Sequence, residues 1–263
     1  MKSCRALGFT LSLFLLVLPF SSMASDTAKE KRWADQIVDG LIDGEAVWLQ
    51  AGKTKFLGIY TESTVSPVKG AVITLHGTGV HPDWPDVINP LRVQLPTLGW
   101  TTLSLQMPIL SNEAKEDDYP PLFPEIAPRM NAAIAFLKSK GISRIVVAGH
   151  SMGSSMAAYY LANNANPVTG LVAVGTSGIG FTATGMRYFD SLPKLNKLPV
   201  LDLYGSEDLE SVLSTVSKRM DIAKKSGNAR YTQVNVPGAN HFFNGKNKEL
   251  LQEVGNWLDK NAR

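Results

Sequence analysis

The sequence predicts an α/β fold in which a mostly parallel sheet, opened by an antiparallel N-terminal hairpin, is covered by helices on both faces. Three observations carry this expectation. Short runs that are apolar at nearly every position recur along the chain, the apolar period between them is helical, and the first two strand-like segments are joined by a tight turn instead of a helix.

Segments 45–50 and 55–61 have the character of strands, and they flank Ala51-Gly52-Lys53-Thr54, which reads as a turn between antiparallel partners. The runs 71–75, 144–148, 168–174 and 199–204 follow, each bounded by glycine, proline or polar residues. A strand covered on both faces has no solvent side for polar residues, so unbroken apolar runs are what a buried parallel sheet requires. Met130, Ala133, Ile134 and Leu137 fall at i, i+3, i+4 and i+7, with Pro128 near the start and Gly141 past the end, and Leu250, Leu251, Val254, Trp257 and Leu258 repeat the helical pattern. Segment 106–123 carries Pro108, Pro120 and Pro121 around an acidic centre, shows no period and reads as a long loop. The 23 residues 175–197 are too few for a large helical lid, so little or no lid is expected and the site should be open.

Composition points to one domain. An apolar fraction of 44% with 19% charged residues is that of a globular chain, and 263 residues suffice for a sizeable core. Lys2 and Arg5 precede an apolar run over 6–20, and Ser22-Met23-Ala24 then offers small residues at a cleavage site, so 1–24 reads as a secretory signal and 25–263 as a single domain, exported to the periplasm or beyond. The run is shorter than the roughly 20 residues a membrane-crossing helix needs, and it contains Pro19. The single cysteine, Cys4, falls within the leader, so no thiol chemistry is expected of the mature chain. Without the leader the 26 basic residues become 24 against 23 acidic ones, which removes any reason to expect a nucleic-acid partner. The short charge runs 29–32 and 113–118 read as solvated surface.

Gly149-His150-Ser151-Met152-Gly153 follows a predicted strand and precedes a predicted helix over 152–163. In this context the GxSxG pattern is a turn so tight that side chains on the flanking residues would collide with neighbouring chain. It leaves the Ser151 hydroxyl exposed at a helix N-terminus, where backbone amides favour a developing anion. A serine hydroxyl needs a base, ordinarily an imidazole. Of the four histidines, His150 is adjacent to the serine and turned away by the elbow, while His76 and His81 belong to another motif. His241 follows the strand-like 231–236 through Pro237-Gly238-Ala239-Asn240, read as a loop, and is the candidate base. The candidate orienting acid is Asp208, at the carboxyl end of a strand; Glu207 is its rival, and Asp202 lies inside the strand and suits a buried structural role. The backbone amides of Met152 and Thr78, with Gly79 as the near alternative to Thr78, are the candidate oxyanion donors.

These residues together, HGTG at 76–79, GHSMG at 149–153, LYGSED at 203–208 and PGANHF at 237–242, resemble the α/β-hydrolase superfamily over nearly all of 25–263. Within it, the stretches 76–85 and 98–105 look like a group of exported bacterial α/β-hydrolase-like proteins. The resemblance implies an α/β-hydrolase fold and acyl transfer through serine. His81, Asp83 and Trp84 follow the proposed oxyanion loop and are candidates to bind substrate, unless Trp84 and Pro85 merely open a helix and pack; Tyr119 and Phe123 are candidate wall residues. No metal or cofactor is expected, since the sequence has no HExxH spacing and no GxGxxG after the first parallel strand. A serine hydrolase of small-molecule esters or thioesters, carboxylesterase-like, is therefore the leading expectation. An amidase or peptidase, and a non-catalytic binding or envelope-maintenance protein on the same fold, are the alternatives.

Overall fold

The computed structural model describes residues 24–262. Eight strands, β1 (Glu45–Ala51), β2 (Thr54–Thr61), β3 (Gly70–Leu75), β4 (Trp100–Leu105), β5 (Ile145–His150), β6 (Val168–Val174), β7 (Val200–Glu207) and β8 (Tyr231–Asn240), form one sheet in the order β1-β2-β4-β3-β5-β6-β7-β8. β1, β2 and β4 pair antiparallel, and all pairs from β4 through β3 to β8 are parallel. This is the mostly parallel sheet with an antiparallel start that the strand runs predicted, with β4 added, and the α/β-hydrolase fold that the resemblance implied.

The helices are α1 (Thr27–Gly40), α2 (Ile88–Gln94), α3 (Ile126–Ser139), α4 (Met152–Asn163), α5 (Tyr188–Ser191), α6 (Glu210–Leu213), α7 (Val216–Lys225) and α8 (Asn247–Asn261). The unbroken apolar runs serve two cores at once. Ile73 and Val147 point to the side of α3 and α4, while their neighbours Val72, Val146 and Ala148 point to the side that Leu250, Val254 and Leu258 of α8 cover. Alternate residues of one strand thus fill opposite layers, and neither set can be polar. The stretch 175–197 contains only α5 and a 3-10 turn over Leu192–Leu195, so no helical lid covers the sheet's carboxyl edge. No helix among the described residues is long and apolar enough to cross a membrane. The leader assigned to 1–24 lies, except for Ala24, outside the described residues.

Three readings are corrected. Of the run 29–32, Lys31 and Arg32 are exposed as expected, but Lys29 and Glu30 are buried; the run belongs to α1, which Asp26 caps by accepting the Lys29 N–H at 2.8 Å. Lys29 donates to the Leu110 carbonyl and Glu30 takes a two-pronged contact from the buried Arg129 guanidinium, both oxygens at 3.0 Å. Those charges face inward because their partners lie 81 and 99 residues away, which no local pattern reveals. Residues 237–240 are not a loop: β8 continues to Asn240, and after a register shift Glu207 of β7 still pairs with Asn240. Trp84 and Pro85 do not open a helix, since α2 starts at Ile88.

Asp202 is fully buried on β7. It accepts from Arg219 Nε at 2.7 Å and Nη2 at 3.2 Å, from the Tyr231 hydroxyl at 2.5 Å and from Gln233 Nε2 at 2.8 Å. Removing one member of such a pair strands the other charge in the core, at a cost of about 3–5 kcal/mol. Asp202→Ala is expected to lower unfolding free energy by about that amount in urea titrations. Lys31→Ala, which opens the exposed Lys31–Asp35 pair, should leave the midpoint nearly unchanged. Equal effects of the two substitutions would contradict the assignment of Asp202 as a structural anchor.

Candidate active site

Ser151 sits between β5 and α4 with φ 54° and ψ −123°, a conformation rarely adopted outside glycine. Its amide donates to the Val174 carbonyl at 2.8 Å, which ties the turn to β6. The strain is held by the glycines two positions away on each side. A Cβ on Gly149 would lie 2.5 Å from the Gly153 backbone, and one on Gly153 would lie 2.2 Å from the Leu75 carbonyl oxygen. Neither space admits a side chain, so α4 starts in direct contact with the end of β3.

His241 follows the end of β8, and its Nδ1–H donates to Asp208 Oδ1 at 2.6 Å. This hydrogen bond fixes the ring tautomer and leaves Nε2 with a free lone pair. Asp208 is buried just beyond β7, and its carboxylate also accepts from the amides of Leu209 at 2.8 Å and Gly205 at 3.4 Å. Its rival Glu207 is exposed and belongs to the β7–β8 ladder. Ser151 and His241 line a shared recess with two lobes, both of which also include Glu116 and Leu209. The larger lobe, about 290 Å³, is walled by Gly77, Thr78, Val80, Trp84 and Phe242. The smaller, about 40 Å³, lies among Met152, Ser155, Gly175, Ser177 and Ser211.

Two further histidines shape the recess without the geometry of a base. His76 is buried; Nδ1–H donates to the Gly77 carbonyl at 2.9 Å, while Nε2 accepts from the Met107 amide at 3.0 Å and Gln106 Nε2 at 3.1 Å. It thereby pins the 76–79 loop to the end of β4, with Gly77 so near the nucleophile that an added Cβ would lie 3.2 Å from the Ser151 Cβ. His150, expected to be turned away by the elbow, instead lines the larger lobe with its ring centroid 4.9 Å from that of His241, and its Nε2–H donates to the His241 carbonyl at 3.0 Å. Both rings stay neutral: desolvation pulls the pKa of His76 down to about 3 and that of His150 to about 4.

Among the proposed substrate residues only Trp84 lines the recess. His81 stands behind it, its ring edge-on to both Trp33 and Trp84 at 5.1 and 5.3 Å, and its Nδ1 accepts the Asp83 amide. Asp83 is engaged by Arg92 and Asn89. Tyr119 is 1% exposed and packs behind the 76–79 loop, with its hydroxyl accepting the Leu110 amide; Phe123 is packed edge-on against Tyr159 and Phe181. Proline-rich segments fold their aromatics inward when a core is within reach, which explains both corrections. Glu116, Leu209 and Phe242 were missed. Phe242 had a signal in its adjacency to His241, and Glu116 belongs to the run 113–118, which is exposed as expected but borders the recess at Glu116. Among the described residues no group of three or more His, Cys, Asp or Glu side chains is placed to hold a metal ion.

A family model described as DUF3530, protein of unknown function, matches residues 9–122 and 111–260. The chain belongs to that family. No curated protein matches it. Among solved structures, this DUF3530 member is similar to a dienelactone hydrolase from Anabaena variabilis ATCC 29413, with 20% identity, TM-score 0.64, and coverage of 83% of this chain and 98% of that one. It is also similar to Est1E from Butyrivibrio proteoclasticus, with 16% identity, TM-score 0.64, and coverage of 82% and 98%. The esterase Pf2001 of Pyrococcus furiosus follows at 19% identity, TM-score 0.63, and coverage of 86% and 96%. At these identities the likeness establishes the shared fold.

The neutral buried rings make stability depend on pH. In the unfolded chain each imidazole takes up a proton below about 6.5, whereas the folded pKa values are about 3 and 4, so the unfolded state binds more protons between these limits. Their contribution is complete above pH 6.5 and is lost as pH falls, at up to about 1.4 kcal/mol per pH unit for each ring. Urea titrations from pH 7 to 4.5 should show this decline, with proton uptake on unfolding approaching two. A flat profile would contradict the buried neutral state of both histidines.

Proposed function

We propose that the protein is a serine hydrolase that cleaves small esters or thioesters through an acyl-serine intermediate. The observation that carries this reading is the Asp208–His241 hydrogen bond of 2.6 Å beside a recess that His241 shares with the strained Ser151. The similarity to solved structures described as esterases and a dienelactone hydrolase supports it.

In the first half-reaction Ser151 Oγ attacks the carbonyl carbon and its proton passes to His241 Nε2, while the carboxylate of Asp208 stabilises the resulting imidazolium. The carbonyl oxygen becomes an oxyanion facing the amides of Met152, at the start of α4, and Thr78, on the Gly77 loop. The dipole of α4 adds to their field. Collapse of this intermediate breaks the bond to the alcohol or thiol, which leaves with the proton from His241. Water then attacks the acyl-serine, giving its proton to the same nitrogen, and the second collapse frees the acid and restores the serine. The small lobe accommodates a short acyl group. The leader at 1–24 makes the periplasm or the exterior the place of action.

Intact protein should be labelled by a fluorophosphonate probe, and Ser151→Ala should not. Asp208→Asn should lower kcat on p-nitrophenyl acetate by about 10³–10⁴-fold, since the imidazole then loses its tautomer and its countercharge. Glu207→Gln should change kcat little. Across p-nitrophenyl esters of rising acyl length, kcat/KM should fall beyond about four carbons, in line with a small lobe of about 40 Å³. Labelling that survives Ser151→Ala would end the hydrolase reading, and a preference for long chains would end the acyl assignment.

A further inference from the structure

The recess carries a charge that neither the nucleophile nor its base requires. Glu116, on the loop between β4 and α3, lines both lobes, as do Ser151 and His241. No lysine or arginine lines either lobe, and Asp208 is already committed to His241. A group bound in the larger lobe therefore meets one unpaired carboxylate together with the two aromatic side chains of Trp84 and Phe242.

We infer that Glu116 selects substrates whose alcohol portion carries a cationic ammonium group, seated in the Trp84–Phe242 lobe with the short acyl group in the lobe beside Met152. The inference rests on the hydrolase reading above and names its substrate class. An ammonium ion is attracted by a carboxylate and by aromatic faces alike, and the attraction strengthens as the lobe loses water on binding. An anionic alcohol portion would meet Glu116 without any basic partner, and a neutral one would gain only apolar contact. The volume of about 290 Å³ fits a branched ammonium head and a short linker. Glu116 is exposed but borders both lobes; desolvation there raises its pKa, neighbouring Asp117 raises it further, and the charge of His241 opposes both. Asp117 is itself engaged by the amide and hydroxyl of Thr182, which anchors the loop that presents Glu116.

The test compares acetylcholine with its uncharged isostere 3,3-dimethylbutyl acetate and with the anion 3-acetoxypropanoate at pH 8, where Glu116 is ionised. Wild type should favour acetylcholine over the isostere in kcat/KM by about tenfold, with the anion the poorest substrate. Glu116→Gln should remove most of the preference for the cation, and Glu116→Lys should reverse the order of cation and anion. Equal rates for cation and isostere in wild type, or a preference unmoved by Glu116→Gln, would overturn the inference while leaving the hydrolase reading intact. Binding separates the two readings from the other side. In a ligand-observed NMR titration, choline should bind Ser151→Ala about tenfold more tightly than the Ser151→Ala/Glu116→Gln double variant. Choline binding that depends on Glu116 without turnover of any ester would retain the cation site and reject the hydrolase. Equal binding by both variants would reject the cation site.

Discussion

The contact on which the site depends is the approach of α4 to the end of β3. Gly153 lies so close to the Leu75 carbonyl that even a methyl group has no place, and Gly149 is pressed as closely against Gly153. With helix and strand in direct contact, Ser151 reaches the recess from a backbone conformation that ordinary residues avoid. The same contact brings the 76–79 loop, which leaves β3, alongside the start of α4. Ser151 and the 76–79 loop are therefore neighbours as a consequence of packing, and the strain at Ser151 is stabilised by the sheet behind it.

Around this contact the buried charged groups find partners. Asp202 and Arg219 fasten β7 to α7, and Arg129 joins Glu30 of α1 to the Gln106 carbonyl at the end of β4. Burial keeps His76 and His150 neutral; each ring donates to a carbonyl, the first holding the 76–79 loop and the second the backbone of His241, and His76 Nε2 is free to accept the Met107 amide. The recess has the Asp208 carboxylate behind the His241 imidazole and the Glu116 carboxylate on its lining, with Trp84, Leu209, Phe242 and His150 among its other walls.

Much of the fold was legible because its determinants are local. The strand runs are apolar throughout because both faces are covered, and the helical period over 130–137 is bounded by Pro128 and by Gly141, whose φ of 80° suits the end of a helix. The glycines of the elbow are legible for the same reason, since steric exclusion acts on residues two apart. What was misread depends on distant partners. Lys29 and Glu30 resemble surface residues until Leu110 and Arg129 are brought to them, and Glu116 resembles the rest of its acidic run until the loop folds over the recess. Tyr119 and Phe123 were read as walls of the cleft and instead complete the core, because their segment lies close enough to the sheet to bury them.

The sequence by itself determined the order of strands and helices, the tight turn at Ser151 and the presence of an acid and a histidine after later strands, because periodicity and sterics are written over a few consecutive residues. Tertiary structure alone decided that Asp208 and not Glu207 meets His241, that Trp84 and not His81 faces the recess, and that Glu116 joins them. Each of those outcomes turns on which side of a strand end or loop a side chain falls. That is fixed by the register of β7 against β8 and by the packing of loops over the sheet, neither of which a run of neighbouring residues encodes.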